Sequence, residues 1–82
     1  MSQIENTFQA ILGGRSDHNI RFNELCHVLD SLEFHSRIKG SHHIFWRDDI
    51  DEIINIQPLG PKAKAYQVKQ VRNLIVKYKL KI

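Results

Sequence analysis

The sequence predicts an α+β domain in which two helices precede a three-stranded antiparallel sheet and a third helix follows it. Apolar residues recur three and four positions apart in three stretches of the chain, as on the buried face of a helix. Between the second and third of these stretches the period changes to two, which is typical of strands that bury one face. The helical stripes and one apolar sheet face can cover each other in a single core. The helices are therefore expected on one face of the sheet, and the other face is left for solvent or a ligand.

The length and composition of the chain fit one small domain. Its 82 residues, of which 41% are apolar, suffice for one core. A chain of this size buries only about 60–65% of the surface that it exposes when unfolded, so a shallow site acting on a large substrate is expected. No apolar run approaches the roughly 20 residues of a membrane span and no secretory signal is recognised, which favours a cytoplasmic protein. Cys26 is the single cysteine, which excludes an internal disulfide and a cysteine-rich zinc site.

Three helices follow from the apolar stripes. They are predicted at residues 2–12, from Ser2 to Leu12, at about 22–32 and at roughly 66–78. Gly13 and Gly14 end the first helix, and polar residues connect it to the second. This polar seam sets the first helix apart. We therefore expect an N-terminal segment, residues 1–20, and a main domain, residues 21–82.

Three strands and one tight turn are predicted between the second and third helices. Residues 34–39 alternate in the manner of a strand, and residues 42–47 do the same. Gly40 and Ser41 lie between them and are expected to form the turn of a hairpin, since glycine permits backbone angles closed to other residues. A third strand, rich in isoleucine, is predicted from Ile50 to Ile56. Pro58, Gly60 and Pro61 are expected to break it.

The charge of the chain is divided unevenly along its length. All nine acidic residues lie at or before Glu52, whereas residues 53–82 carry seven lysines and arginines and no acid. A segment of one sign favours a polyanion partner such as nucleic acid or an acidic protein. A solvated, lysine-rich helix end is the alternative, and the charge pattern alone does not separate the two.

The motif with the clearest chemical content is the stretch Lys39–Trp46, in which a turn runs into two histidines and an aromatic strand. Strand alternation places His42 on the same face as Trp46, and His43 on the same face as Phe45. An imidazole next to a turn is both held still and reachable by a substrate. This is a suitable position for a proton-transfer group.

His42 is the expected catalytic residue. An unperturbed histidine has a pKa of about 6.5 and can accept or donate a proton near neutrality. RNA cleavage needs that ability, because the 2′-hydroxyl must lose a proton before it attacks the adjacent phosphate and the 5′-oxygen must gain one. Lys39, Lys62 and Lys64 are expected to hold the phosphate, and Ser41 to donate a hydrogen bond to it.

Each of these side chains also has a purely structural interpretation. His42 can be a strand histidine with no task, and Ser41 an ordinary turn residue. A metal site is not expected, since His42 and His43 point to opposite faces of a strand and do not readily share one ion. The acidic run at residues 48–52 lacks the spacing of a calcium loop. No cofactor is therefore predicted.

Three other side chains are open to more than one interpretation. Trp46 and Tyr66 can stack on a base, and they can equally pack at the edge of the core. Cys26 lies on the apolar stripe of the second helix, which favours a small core residue over a nucleophile.

Several stretches of the chain together are similar to one known family. These are Leu29–Phe34 at the end of the second helix, the Lys39–Phe45 motif, the isoleucine-rich strand and the basic last helix. Over about residues 22–80 they resemble the HicA toxin family, and the glycine-serine-histidine step is the most specific part. Members are small bacterial and archaeal ribonucleases of toxin–antitoxin pairs. The resemblance implies a double-stranded-RNA-binding-like fold, α-β-β-β-α, here with an extra N-terminal helix.

The resemblance also implies an activity and a partner. The expected activity is metal-independent cleavage of messenger RNA with His42 as general acid or base, and the expected partner is a HicB-type antitoxin protein. The residues expected to contact the RNA are Lys39, Gly40, Ser41, His43, Arg47, Lys62 and Lys64. Glu33 stands where the family often has glycine, a departure that affects a turn and not the site. The alternatives are a non-catalytic RNA-binding module of the same fold and a protein-interaction domain.

Overall fold

Residues 3–82, which a computed structural model describes, form three α-helices and five β-strands in an α+β fold. In chain order these elements are α1 (Gln3–Gly13), α2 (Phe22–Ser31), β1 (His35–Lys39), β2 (His42–Trp46), β3 (Ile54–Ile56), β4 (Pro58–Leu59), β5 (Lys62–Ala63) and α3 (Ala65–Tyr78). A 3₁₀ helix, Asp17–Asn19, lies between α1 and α2. The predicted α+β class, with three helices and a three-stranded antiparallel sheet, is confirmed. The predicted start of the first helix at Ser2 lies outside the described residues.

The sheet has the order β1-β2-β3, and both pairings are antiparallel. A two-residue turn joins β1 to β2, with Lys39 opposite His42. Gly40 is the first residue of this turn and has a φ of 62°, in the left-handed region. This is where a two-residue turn of type II′ takes glycine. The predicted hairpin is thus present, and its turn fixes the register of β2.

The register assigns every strand residue to one of two faces, because residues paired across antiparallel strands share a face. The core face carries Phe45, Ile54 and Ile56, all buried. The opposite face, termed here the outer face, carries His35, Arg37, Lys39, His42, Ile44, Trp46 and Asn55. Gln57, directly after β3, joins this face through its contact with His42. None of the outer-face side chains is buried.

One prediction about the segment after β2 was wrong. The third strand begins at Ile54 and not at Ile50. Ile50 is buried but lies in a turn, where its N–H donates to the Arg47 carbonyl over 3.2 Å. The predicted break is present, since β3 ends at Ile56 before Pro58, and the proline-glycine stretch itself forms a second hairpin, β4–β5, which was not predicted. Gly60 has a φ of 59°, so the glycine marks the turn of this hairpin.

The N-terminal segment packs into the same core as the rest of the described chain. Phe8, Ile11 and Ile20 belong to the one cluster of buried apolar residues. The Ile20 carbonyl accepts a 2.9 Å hydrogen bond from the Ala63 N–H of β5. Residues 3–20 therefore share a core with residues 21–82, and a division at residue 20 stays a prediction.

Two further contacts attach this segment to α3. The Arg72 guanidinium donates to the Ile11 carbonyl over 3.2 Å and to the Asp17 carboxylate over 2.9 Å.

The longest helix among the described residues is α3, with 14 residues. Within residues 3–82, no helix combines the length and apolar character needed to span a bilayer.

Candidate functional site

His42 is held on the central strand of the sheet with its side chain exposed to solvent on the outer face. It is the first residue of β2, directly after the turn that Gly40 makes possible. Pairing with Lys39 fixes its backbone on one side, and β3 pairs with the next residues of β2 on the other. The imidazole is therefore both fixed and accessible.

Asn55 of β3 determines which nitrogen of the neutral His42 ring carries the hydrogen. His42 Nδ1 lies 2.9 Å from Asn55 Oδ1. A carboxamide oxygen only accepts hydrogen bonds, so Nδ1 must donate. The lone pair of the neutral ring is then on Nε2, which is the atom able to take up a proton.

Gln57 lies over the face of the His42 ring. Its Nε2 lies 2.8 Å from His42 Nε2 and 3.4 Å from His42 Nδ1, so it contacts both nitrogens from above and does not lie on the in-plane lone pair of Nε2, which points away from Nδ1. The same amide nitrogen lies 3.4 Å from Ser41 Oγ. The Gln57 carboxamide oxygen accepts a 3.5 Å contact from Lys64 Nζ. Gln57 therefore links the imidazole, the turn hydroxyl and one lysine.

Gln67 of α3 holds the backbone of Gln57 in place. Its carboxamide is 1% exposed and faces both backbone groups of Gln57, donating to the carbonyl and accepting from the N–H, each over 3.0 Å. A buried amide that lacked these partners would carry a desolvation cost, so the pairing is strongly favoured. The position of one site residue thus depends on a side chain in the core.

The side chains around the imidazole form what is termed here the His42 site. Its members are Lys39, Ser41, His42, Asn55, Gln57 and Lys64. The site includes four of the residues expected from the sequence and adds Asn55 and Gln57, which the sequence reasoning missed. A signal for both was available, since they alternate with the buried Ile54 and Ile56 and so belong to the outer face.

His43 lies on the opposite face of the sheet from His42. Its ring meets the Phe22 ring edge-on, with 4.8 Å between ring centroids, and it is half-buried. It shares a small cavity of about 350 Å³ with residues of the β4–β5 turn and the start of α2. The structure therefore does not bring His43 to the His42 site, and Gly40 contributes there through the turn alone.

Arg47 and Lys62, two further residues expected to contact RNA, have partners elsewhere. Arg47 follows β2 at the end far from His42, where it pairs with Asp49 over 2.8 Å and donates to the Leu32 carbonyl over 2.8 Å. Lys62 Nζ donates to Asn19 Oδ1 over 3.2 Å. Neither side chain forms a hydrogen bond or ion pair with a member of the His42 site.

A second polar cluster joins the loop before β3 to the end of α3. Glu52 accepts hydrogen bonds from Lys77 Nζ, over 2.8 Å, and from the Tyr78 hydroxyl. These bonds lower the pKa of Glu52 from 4.5 to about 2, and the same contacts raise the pKa of Lys77 and of Tyr78. The cluster ties the loop to α3 and contacts no member of the His42 site.

The remaining candidates for chemistry can be assigned from burial and spacing. Burial raises the pKa of the Cys26 thiol to about 11, with a further contribution from Asp30, so the thiol stays protonated near neutrality. Within residues 3–82, no three histidine, cysteine, aspartate or glutamate side chains come close enough together to hold a metal ion. The imidazole of His42 is therefore the group best suited to proton transfer.

Comparisons of the chain with known protein families, with curated proteins and with solved structures gave no match. What supports a function is the arrangement of side chains in the His42 site and the charge of the outer face.

Proposed function

We propose that the chain is a metal-independent endoribonuclease of HicA type, with a double-stranded-RNA-binding-like fold, that cleaves messenger RNA in the cytoplasm. The observation that carries the proposal is the 2.9 Å contact between His42 Nδ1 and Asn55 Oδ1. This contact leaves Nε2 as the basic nitrogen of an exposed, fixed imidazole. The resemblance of residues 22–80 to the HicA family supports the same residue in the same role.

The proposed reaction begins with proton transfer from the RNA to His42. His42 Nε2 takes the proton of a ribose 2′-hydroxyl, and the 2′-oxygen attacks the adjacent phosphorus. The bond between phosphorus and the 5′-oxygen breaks, which gives a 2′,3′-cyclic phosphate and a 5′-hydroxyl. Water, to which the site is open, supplies the proton of the leaving 5′-oxygen, and the imidazolium then returns its proton to solvent. DNA cannot react because it lacks the nucleophile.

Gln57 does not occupy the position that the 2′-hydroxyl takes in this reaction. Its amide nitrogen lies 2.8 Å from His42 Nε2 and 3.4 Å from Nδ1, over the ring, whereas the lone pair of Nε2 lies in the ring plane and points away from Nδ1. A substrate hydroxyl in the plane of the ring can donate to this lone pair. The neighbouring Gln57 carboxamide can then donate to a phosphate oxygen.

Two lysines and one hydroxyl are available to the phosphate. Lys39 is paired with His42 across the hairpin, so their Cβ atoms lie about 5 Å apart. Lys64 reaches the site through the Gln57 oxygen, and Ser41 lies at the turn. Fixed positive charge at this position offsets the charge that develops on the phosphate oxygens in the transition state.

The same surface supports inhibition by a HicB-type antitoxin. The hairpin carries Arg37 and Lys39 and, from residue 34 to residue 47, no acid. An acidic protein surface that covers the outer face would neutralise these cations and block access to His42. One partner would thus remove both binding and catalysis.

Cleavage of RNA in the presence of EDTA tests the proposal. The purified protein is incubated with single-stranded RNA and with the same strand carrying 2′-deoxyribose throughout. We expect cleavage of the RNA alone, with 2′,3′-cyclic phosphate ends. His42→Ala should reduce the rate by about 10²–10⁴-fold. His27→Ala, which removes an exposed histidine of α2, is the matched control and should cut at the wild-type rate.

Two results would contradict the proposal. Cleavage by His42→Ala at the rate of His27→Ala would remove His42 from the reaction. Intact RNA together with salt-sensitive binding by the wild-type protein would favour a non-catalytic RNA-binding module.

A further inference from the structure

We propose that the outer face binds an extended single strand of RNA and that Trp46 and His35 form a subsite on which one unpaired base stacks. This inference rests on the proposed function in one respect, because it places the cleaved phosphate at His42. The base subsite lies at the other end of β2, on the same face of the sheet.

Two aromatic rings form the subsite. Trp46 and His35 are paired directly across β1 and β2, and their ring centroids lie 5.7 Å apart with an angle of 37° between the planes. His35 is exposed and Trp46 is half-buried. Aromatic rings in such a position provide surfaces on which bases stack without regard to sequence.

Unpaired cations lie beside these rings. Arg37 and Lys39 project from β1 onto the outer face, between His35 and the turn. Neither forms a side-chain hydrogen bond or ion pair with any part of the chain that the structure describes. The hairpin from residue 34 to residue 47 contains no acid. A polyanion therefore complements the outer face. The rings of His35 and Trp46 favour a polyanion with exposed bases.

The aromatic subsite favours a single strand over a duplex. Paired bases are stacked within their own helix and are not free to stack on a side chain, whereas the bases of a single strand are. From His42 to Trp46 a strand advances about 13 Å, at about 3.3 Å for each residue. An extended single strand along β2 can therefore reach both the base subsite and His42.

Tryptophan fluorescence tests this directly, since Trp46 is the only tryptophan. The His42→Ala variant is used because it is expected not to cleave RNA. It is titrated with a short single-stranded RNA and with the duplex of the same sequence. We expect the single strand to quench the emission in a saturable manner. The dissociation constant obtained from this titration should be at least tenfold higher for the duplex. RNA affinity measured by polarisation of a labelled strand should fall about tenfold in Trp46→Ala and remain within threefold in Trp46→Phe.

His27→Ala is the control variant. His27 is exposed on α2 and lies outside the outer face, so its removal should leave RNA affinity unchanged. Circular dichroism of each variant separates loss of binding from loss of folding.

The outcomes distinguish this inference from the proposed nuclease. Quenching by RNA that the wild-type protein does not cleave would support the base subsite and overturn the nuclease. Cleavage of RNA by the wild-type protein, together with unchanged Trp46 emission and an unchanged RNA affinity in Trp46→Ala, would support the nuclease and overturn the base subsite. Quenching by poly-glutamate but not by RNA would overturn the subsite in favour of an acidic protein on this face.

Discussion

The Nδ1 atom of His42 lies 2.9 Å from the Oδ1 atom of Asn55, diagonally across the β2–β3 pairing, since Asn55 itself stands opposite Ile44. This contact uses a neutral acceptor to orient an exposed imidazole. The lone pair of Nε2 then lies in the ring plane and points away from Nδ1, while the Gln57 amide lies over the ring.

Removal of the Asn55 carboxamide should slow RNA cleavage. Without its acceptor, the His42 ring can rotate or place its hydrogen on Nε2, and the loss of one such hydrogen bond corresponds to a rate about tenfold lower in Asn55→Ala. In Asn55→Asp a carboxylate favours the protonated ring, so the acid limb of the profile of kcat/KM against pH should move to higher pH. An Asn55→Ala enzyme with the wild-type rate and profile would show that the contact has no role in positioning.

Lys64 should contribute more to RNA binding than Lys62, although the two are close in sequence. Lys64 reaches the His42 site through Gln57, whereas Lys62 donates to Asn19. A single-strand phosphate contact corresponds to about 0.7 in the slope of log affinity against log salt concentration. Binding titrations at several salt concentrations should show this reduction in Lys64→Ala and little change in Lys62→Ala. The reverse ranking would move the phosphate site to the side of Lys62.

Gln67→Leu should destabilise the fold and impair the site together. It removes both partners of the Gln57 backbone groups from the core, and unpaired buried groups cost about 1–3 kcal/mol. Urea denaturation measures the free energy of unfolding. Gln9→Leu on the exposed side of α1 is the control, and should change that free energy by less than about 0.5 kcal/mol. Equal effects of the two substitutions would rule out a specific role for Gln67.

Glu33→Gly should stabilise the protein. Glu33 has a φ of 66° after α2, where the N–H of Glu33 donates to Asp30 and that of Phe34 donates to Leu29. These bonds form a Schellman motif, whose left-handed position favours glycine. The relief of about 1–2 kcal/mol of strain exceeds the added entropy of the unfolded chain, for a net gain of about 0.5–1 kcal/mol. Glu33→Ala retains the strain and should show no such gain in thermal or urea unfolding.

Glu52 should make folding stability sensitive to acid. Its folded pKa, about 2, lies below the ordinary 4.5. The bonds to Lys77 and Tyr78 therefore stabilise the fold above pH 4.5, and this stabilisation is lost as the pH falls from 4.5 towards 2. Glu52→Gln should be less stable than the wild type at pH 7 and lose less stability over that acid range. Urea denaturation at several pH values measures the free energy of unfolding of both proteins. An equal loss of that free energy in the wild type and in Glu52→Gln between pH 4.5 and 2 would exclude this linkage.

Local patterns predicted the helices and the first hairpin because each of these elements is encoded by near neighbours. The helix bounds agree to within a residue where they can be compared, since burial of a stripe is decided within the helix itself. The hairpin depends on Gly40, and its left-handed φ is a property of that residue. The position of His42 on the hairpin could be predicted because it directly follows this turn in the sequence.

The rest depended on pairings between distant residues. Asn55 and Gln57 are uncharged and carry no motif, and they join the site only because β3 aligns beside β2. Nothing in the sequence separates Lys64 from Lys62, since it is the path of β5 that directs Lys62 towards Asn19. Proline and glycine after β3 predict the end of that strand, which is confirmed, but they do not predict the second hairpin, because a turn and a break share the same residues.

The hairpin β4–β5 joins Gln57 to Lys64, the two ends of the segment that brings an amide and an ammonium group to one imidazole. Pro58 pairs with Ala63 at the open end of this hairpin, so this pairing, and not the number of residues in the turn, places Gln57 and Lys64 side by side. A longer turn at Gly60 could be accommodated at the surface without disturbing the core. The turn is therefore a position at which residues can be inserted while the contact between Gln57 and Lys64 is kept.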